Sequence, residues 1–270
     1  MGLALLFVIW LITLVSSYFF YTGQWSPLPL ASAHGGAIDK QMALTMVLMG
    51  VVFLAAQLGL GLFVWKYRDR SGAQAATYSH GHNGLEWTWT VLTAVLFVGL
   101  NLMGYDVWAA NRIHGAGPGA MQVEVTAVQF TWYFRYPGPD GKFGRVDYQK
   151  GDASLGNEGA LGLDDTDPAS KDDVITGVLV LPVNKEADVT LRAQDVIHNF
   201  NVPAMRVKQD AVPGLMIHTH FTPIHTGEYE LACAELCGLG HYKMRGTVRV
   251  LSEQAFNQWM AERQAEKQQQ

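Results

Sequence analysis

Residues Met42–Trp65 read MALTMVLMGVVFLAAQLGLGLFVW, an apolar run without a single charged side chain. A helix needs about 20 apolar residues to cross a hydrocarbon core of about 30 Å, and a buried helix of a soluble protein is rarely apolar over such a length. Trp87–Ala109 is a second run of this kind and carries only Asp106 near its end. The two runs predict a transmembrane helical hairpin within residues 42–110.

The charges beside the first run indicate how the hairpin is oriented. Lys66, Arg68 and Arg70 follow it directly, with Asp69 as the one acidic residue among them. Lys and Arg are enriched in short cytoplasmic loops, so this end is expected in the cytoplasm. The second run then returns outward. Residues 111–270 are therefore expected on the outer side, which is the periplasm in a Gram-negative cell.

A third apolar run, Leu3–Tyr21, has two interpretations. No Lys or Arg precedes it, which is unfavourable for a signal peptide. Ala31-Ser32-Ala33 resembles a cleavage site but lies too far beyond the run. We expect residues 1–22 to form an extra transmembrane helix, with a cleaved signal segment as the alternative.

Composition argues against three other classes of protein. Hydrophobic residues make up 49% of the 270-residue chain and charged residues 16%, so a disordered chain is excluded. Two cysteines are too few for a disulfide-rich scaffold. A formal net charge of −5 argues against a nucleic-acid partner.

After Arg112 the pattern changes to short runs rich in Val, Thr and aromatic residues, separated by Pro and Gly. Such runs predict strands of a β-sandwich or Greek-key barrel. Ser252 is placed to cap a final helix. The predicted strands are Met121–Tyr136, Val174–Leu181, Ala187–Leu191, Val196–Val202, Leu215–Phe221, Glu228–Cys233 and Thr247–Leu251.

An acidic insert, defined as residues 147–173, interrupts this pattern. It has eight acidic residues and two lysines, a net charge of −6 that exceeds that of the whole chain. It is rich in Gly and has no periodicity. Two interpretations remain open: a solvated loop, or a docking surface whose field speeds association with a basic partner.

The ligand loop, defined as residues 233–244, reads Cys233-Ala-Glu-Leu-Cys237-Gly-Leu-Gly-His241-Tyr-Lys-Met244, and His198 lies upstream. Thiolate, thioether and imidazole together favour copper or zinc, and Met is not a typical zinc ligand. A blue-copper centre needs only one Cys, so the second thiolate suggests two copper ions bridged by both sulfurs. A disulfide, the alternative on an oxidising side, leaves the other donors unexplained.

With these residues in place, the chain from Met42 onward resembles subunit II of the haem–copper cytochrome c oxidases. That family carries a dinuclear copper centre, CuA, in a cupredoxin domain. The resemblance implies a magnesium site that Glu235 shares with subunit I through its side chain. It also implies that the copper ligands are the side chains of His198, Cys233, Cys237, His241 and Met244 and the main-chain carbonyl of Glu235.

The resemblance extends to residues outside the loop. Trp132-Tyr133 resembles a Trp–Tyr pair whose Trp receives electrons from cytochrome c, although a strand residue of this kind also fits a core position. Glu86 matches a glutamate near the mouth of a proton-uptake channel, although an acid there also fits a helix cap. Asp195 is expected among the acids that guide the cytochrome.

The implied fold is a membrane helical hairpin of two or three transmembrane helices followed by an all-β cupredoxin-like Greek-key domain. The implied function is that of subunit II of a terminal oxidase in the bacterial inner membrane. It would take electrons from a c-type cytochrome and pass them to haem in subunit I, where dioxygen is reduced and protons are pumped. Its expected partners are subunits I and III, the cytochrome and membrane lipid.

Two alternatives remain open. A CuA subunit of a nitric oxide reductase would carry the same ligand loop. A copper carrier or chaperone would need an exposed site for one metal ion. A nitrous oxide reductase is excluded, because the chain is too short to hold that enzyme's propeller domain as well.

Overall fold

The computed structural model describes residues 1–23, 28–70, 78, 80–147, 150–152 and 156–267, with the backbone alone at 156–158. The chain forms two compact units. The helical unit is Met1–Pro27 with Asp39–Val107, and the outer domain is Leu28–Ile38 with Trp108–Gln270.

Three long helices account for the apolar runs: α1, Gly2–Tyr21; α2, Gly35–Lys66; and α3, Asn83–Arg112. Each is long and apolar enough to cross a membrane. Their large apolar side chains are mostly exposed, as expected for helices that meet lipid or partner helices rather than a core of their own. The interpretation of residues 1–22 as a retained helix stays a prediction.

Both helices of the expected hairpin extend beyond their apolar runs. The α3 helix begins at Asn83, where the His82 ring accepts a hydrogen bond from the Leu85 main-chain N–H (3.1 Å) and so satisfies one free donor of the first turn. At its other end the helix continues to Arg112.

The outer domain consists of two five-stranded sheets, in the orders β3-β2-β1-β5-β8 and β4-β10-β9-β6-β7. The β1–β5 and β4–β10 pairs are parallel, and the other pairs are antiparallel. The strands are β1 Met121–Val128, β2 Thr131–Tyr136, β3 Val174–Thr176, β4 Val178–Pro182, β5 Ala187–Ala193, β6 His198–Val202, β7 Val207–Ala211, β8 Ile217–Phe221, β9 Gly227–Cys233 and β10 Arg245–Leu251.

The core lies between the two sheets, because alternate residues of each strand point inward. Trp132, Phe134 and Tyr136 of β2 are all buried. A short helix, α4, spans Gly156–Leu161, and the terminal helix α5 spans Glu253–Lys267. The Ser252 hydroxyl caps α5, as predicted, by accepting a hydrogen bond from the Ala255 N–H (3.2 Å).

Three details of the strand prediction are wrong. The expected single strand Val174–Leu181 is two strands, β3 and β4, which lie in different sheets. The expected single strand Met121–Tyr136 is a hairpin, in which Val128 pairs with Thr131 across a turn at Gln129 and Phe130. The strand β7, with the sequence VKQDA, was not expected at all, because only its two end residues are apolar and the three residues between them are polar.

A segment before α2 is part of the outer domain. The Ala31 N–H donates to the Ala204 carbonyl (2.8 Å), the Ser32 hydroxyl to the Met205 carbonyl (2.6 Å), and the Ala33 N–H to the Thr222 carbonyl (3.0 Å). Ala31 and Ser32 are buried. The tripeptide that resembles a cleavage site is thus hydrogen-bonded into the folded domain, whereas proteases favour exposed segments.

The acidic insert is attached to the domain by a buried ion pair. Arg135 of β2 donates to Asp173 (2.9 Å) and to the Gly144 carbonyl (2.7 Å), and it also pairs with Glu124 of β1. Burial raises the pKa of Asp173 to about 6, and Arg135 and the Gly144 N–H only partly offset this effect. Residues 148–149 and 153–155 of the insert and the Glu158 side chain lie outside the described part of the chain.

Candidate metal centre

Strand pairing in the second sheet brings the candidate ligands together. His198 is the first residue of β6, and Cys233 is the last residue of β9. The two strands are antiparallel, with Phe200 opposite Cys233. His198, two residues before Phe200, is therefore a diagonal neighbour of Cys233 at the end of the sheet where the ligand loop begins.

The two thiols lie next to each other and next to His198. Both cysteines are free and buried, and their Sγ atoms are 3.9 Å apart. The Nδ1 atom of His198 lies 3.9 Å from the Cys233 Sγ. The ligand atoms of these three residues all lie within 4.8 Å of one another. This cluster is consistent with a copper site.

The other donors that the resemblance implies point to the same place. The Cys233 Sγ lies 3.2 Å from the Glu235 carbonyl oxygen. The Cys237 Sγ lies 3.6 Å from the His241 Nδ1 and 3.7 Å from the Met244 Sδ. The fold thus gathers three further side chains and one carbonyl around the two cysteine sulfurs.

The backbone of the ligand loop makes this convergence possible. Gly238 has a φ of +128°, a region that side-chain-bearing residues rarely adopt. A Cβ there would also lie 2.8 Å from the Gln129 Nε2 and 3.3 Å from the Phe130 ring. The Cys233 N–H closes the loop by donating to the Met244 carbonyl (3.0 Å).

The electrostatics of the cluster call for a cation. Burial and the neighbouring Cys233 thiol raise the pKa of Cys237 to about 11. Two adjacent buried thiolates are therefore unfavourable unless a positive charge lies between them. A soft metal ion meets this need, and the sulfur and imidazole donors are those that copper prefers.

His198 makes a second contact that the ligand motif does not reveal. Its Nε2 donates to the carboxylate of Asp195 (2.8 Å), which also accepts hydrogen bonds from two main-chain N–H groups, those of Gln129 and Val196 (both 2.7 Å). Burial acts to raise the pKa of Asp195, but these hydrogen bonds outweigh burial and lower it.

Trp132 lies in the core behind His198. Its side chain is 1% exposed, and its ring meets the His198 ring edge to face, with centroids 6.2 Å apart. A docked partner could not touch it directly. The alternation of Trp132, Phe134 and Tyr136 along β2 was the sequence signal for this burial. The turn between β1 and β2 holds a second aromatic residue, Phe130. Its side chain is half-buried and packs against the ligand loop.

The Glu235 side chain points away from the sulfurs. It is exposed and lines a polar cavity of about 370 Å³. Arg112 and Lys208 supply positive charge to this cavity, and Asp210 supplies negative charge. Asn199 and Gln209 complete the lining. The cavity is suited to a hydrated cation or a charged partner group.

Glu86 belongs to the helical unit. It is exposed in the first turn of α3. A negative charge at this end of a helix stabilises the helix whether or not the residue has a further function, because the main-chain N–H groups there carry partial positive charge.

The surface beside the ligands is apolar. Leu239 is 98% exposed, and Leu236 and Tyr242 of the same loop are also largely exposed. Exposed apolar side chains grouped in this way are typical of a surface that another protein covers.

Comparison with known proteins agrees with this geometry. Residues 123–251 match the family described as cytochrome c oxidase subunit II, periplasmic domain. The alternative cytochrome c oxidase subunit 2 of Bradyrhizobium diazoefficiens is 35% identical over 262 residues, which cover 96% of this chain and 91% of that relative. The chain belongs to the cytochrome c oxidase subunit II family.

Other members of the subunit II family are similar over much of their length. Cytochrome c oxidase subunit 2 of Cereibacter sphaeroides is 29% identical over 86% of this chain and 78% of its own. The solved periplasmic domain of subunit II of cytochrome oxidase (CoxB) of Bradyrhizobium japonicum is 31% identical. It covers 55% of this chain and 97% of that domain, with a TM-score of 0.40.

Family membership confirms the predicted family and fold class: apolar N-terminal helices followed by a cupredoxin-like domain. As a subunit II, the chain is part of an oxidoreductase of the haem–copper oxidase class. The helices and the periplasmic family domain fit a membrane protein with a periplasmic domain.

Proposed function

We propose that this chain is the electron-accepting subunit of a terminal cytochrome c oxidase and that it holds a CuA centre. The observation that carries the proposal is the meeting of two buried free thiols with a thioether, a carbonyl and two imidazoles. This donor set exceeds what a single copper or zinc ion needs.

The proposed copper ligands are His198, Cys233, the Glu235 carbonyl, Cys237, His241 and Met244. When bound by these residues, a pair of copper ions would supply a site that takes up and releases one electron at a time. The protein holds the donors in a dry setting, because Cys233, Cys237, Met244 and His198 are all buried. A preformed set of donors keeps ligand movement small when the charge changes.

We propose that the electron donor, a c-type cytochrome, docks at the apolar surface of the ligand loop. Leu236, Leu239 and Tyr242 offer exposed contact area in the loop that carries most of the ligands. Trp132 is proposed to take part in electron entry from its core position, because its ring contacts His198. Phe130, which is half-buried and contacts the ligand loop, is more accessible to a docked partner than Trp132 is.

Glu235 is proposed to bind magnesium together with subunit I. Its exposed carboxylate lines the polar cavity beside Asp210, and carboxylates are the ligands that magnesium prefers. Because the Glu235 carbonyl contacts Cys233, one residue would connect the two metal sites.

We infer that the complete enzyme lies in a bacterial inner membrane, with residues 42–110 as the hairpin and 111–270 as the periplasmic domain. Subunits I and III are the proposed partners, and subunit I carries out dioxygen reduction and proton pumping. Glu86 is proposed to lie near the mouth of a proton channel, which its exposed place at the start of α3 permits.

Copper analysis of the purified complex tests the proposal. We expect two copper ions in this subunit and an EPR hyperfine pattern from one electron shared equally by two copper nuclei. Reduced cytochrome c should drive oxygen consumption. One copper per subunit would contradict the centre. Turnover of nitric oxide without oxygen consumption would instead support the nitric oxide reductase alternative.

A further inference from the structure

Asp195 occupies a place between the two halves of the candidate metal centre. It lies in the connection between β5 and β6, and its side chain is 28% exposed. One carboxylate oxygen accepts hydrogen bonds from the His198 Nε2 and the Val196 N–H, and the other accepts one from the Gln129 N–H. Both oxygens are therefore engaged inside the domain.

The contact with His198 selects which ring nitrogen faces the sulfurs. A neutral imidazole has one N–H and one free lone pair. Because the Nε2 donates to Asp195, the lone pair is on the Nδ1, which lies 3.9 Å from the Cys233 Sγ. An anion behind a ligating imidazole also makes that ligand more basic.

Gln129 continues the connection to the other side of the centre. Its main-chain N–H binds Asp195, and its side-chain amide donates to the main-chain carbonyl of Cys237 (2.5 Å). A chain of hydrogen bonds thus runs from His198 through Asp195 and Gln129 to Cys237. It joins β6 to the ligand loop through the turn between β1 and β2.

We propose that Asp195 and Gln129 form a clamp that positions His198 and Cys237 and sets the redox potential of the centre. The clamp rests on the proposed copper function. The role expected of Asp195 in guiding a cytochrome stays a prediction, and the clamp is a separate role that its contacts with His198 and Gln129 support.

Asp195→Asn is the direct test, because it keeps the shape of the side chain and removes its charge. Asp188→Asn is a matched control. Asp188 lies on β5 of the same domain, its side chain is 19% exposed, and it pairs with Gln122 and His218 away from the ligands. Both variants remove one negative charge from the periplasmic domain.

The measurements are the redox potential of the copper centre, its EPR hyperfine pattern, its copper affinity, and the KM for cytochrome c, all on the purified oxidase complex. We expect Asp195→Asn to raise the potential, because an electron-poorer imidazole favours the reduced metal. We also expect an altered hyperfine pattern and a fall in copper affinity of about 10-fold or more. The KM for cytochrome c reports the separate docking role expected of Asp195, and the shift in potential that the clamp predicts does not depend on it. Asp188→Asn should leave the potential and the hyperfine pattern unchanged.

Two results would overturn the clamp. One is an unchanged potential and hyperfine pattern in Asp195→Asn, with a raised KM that depends less on ionic strength, as removal of a docking charge predicts. The other is an equal shift of potential in Asp188→Asn, which would reflect overall charge alone. Asp195→Glu, which keeps the carboxylate, should return the potential toward the wild-type value.

Gln129→Met carries the test if Asp195→Asn does not assemble. Methionine keeps the size of the side chain and removes the donor to the Cys237 carbonyl. We expect a changed hyperfine pattern with an unchanged KM, and an unchanged pattern would contradict the clamp. If the wild-type complex itself shows no dinuclear signal, the proposed function fails, and this result is distinct from a failure of the clamp.

Discussion

The ligand loop (residues 233–244) and the acidic insert (residues 147–173) are both rich in side chains that can do chemistry, yet the fold treats them differently. In the ligand loop the donor atoms face one another, with the Cys237 Sγ 3.6 Å from the His241 Nδ1 and 3.7 Å from the Met244 Sδ. In the described part of the insert, several carboxylates have cationic neighbours. Asp173 pairs with Arg135, and Asp164 lies 3.0 Å from Arg145.

This difference teaches that the density of functional groups in a sequence does not identify a site. A group is available for chemistry when its own fold leaves it without a full set of partners. The insert's carboxylates at Asp164, Asp167 and Asp173 contribute to its attachment and local structure. The sulfurs of the ligand loop face other metal-ligating atoms.

Cys233→Ser and Cys237→Ser should have the largest effect. Each removes one of the two sulfurs around which the other donors gather, and a hydroxyl is a poor substitute for a bridging thiolate. We expect complete loss of the dinuclear EPR signal in the purified complex. Asp164→Asn, in the acidic insert, should keep the signal. A normal signal in either serine variant would refute the ligand set.

Trp132→Ala should be the next largest change, because it affects both the core and the centre. Removing a fully buried aromatic ring typically costs about 3–5 kcal/mol, and here the cavity would open beside His198. We expect a lower unfolding temperature of the outer domain, a changed copper spectrum and slower electron uptake. Tyr133→Ala, at the half-buried next position, is the control. Unchanged stability would show that Trp132 is not the core residue described above.

Arg135→Met tests how the acidic insert is attached to the domain. It leaves the buried Asp173 carboxylate without its guanidinium partner, and breaking a buried pair in this way costs about 3–5 kcal/mol. We expect a destabilised domain with an unaltered copper spectrum, read by thermal unfolding and EPR on the same preparation. Arg145→Met, in an exposed pair with Asp164, should destabilise the domain much less, because solvent screens an exposed pair. A copper spectrum that changes in Arg135→Met would mean that the insert and the centre are coupled.

The contrast also explains what could be predicted from sequence. The ligand loop is local, since twelve consecutive residues hold most of the donors, and a motif of this kind is visible without a structure. The contact of Gln129 with Cys237 joins residues 108 positions apart, so no local pattern reveals it. Asp195 is only three residues from His198, but its contact depends on how the β5–β6 connection turns.

The elements of the fold also differ in whether the local sequence predicts them. Long apolar runs predict the membrane helices because their length alone is decisive. The strand β7 was missed because Lys208, Gln209 and Asp210 outnumber its two apolar ends. The turn at Gln129 and Phe130 was missed because neither residue is a typical turn residue such as Gly, Pro, Asn or Asp, so composition does not mark the break.

The pH dependence of stability supplies the smallest test. Burial raises the pKa of Asp173 to about 6, from about 4 in the unfolded chain. Between these values the folded state holds a proton that the unfolded state has lost, so the contribution of Asp173 to stability is full below about pH 4 and falls as the pH rises to about 6. The difference amounts to about 2–3 kcal/mol.

Asp173→Asn can still accept hydrogen bonds from Arg135 and the Gly144 N–H but cannot ionise. We therefore expect the stability of the wild-type domain, measured relative to this variant by thermal unfolding, to decrease over this range. The opposite slope would mean that attraction to Arg135 outweighs burial, and that the insert is held by a true ion pair at every pH at which the enzyme works.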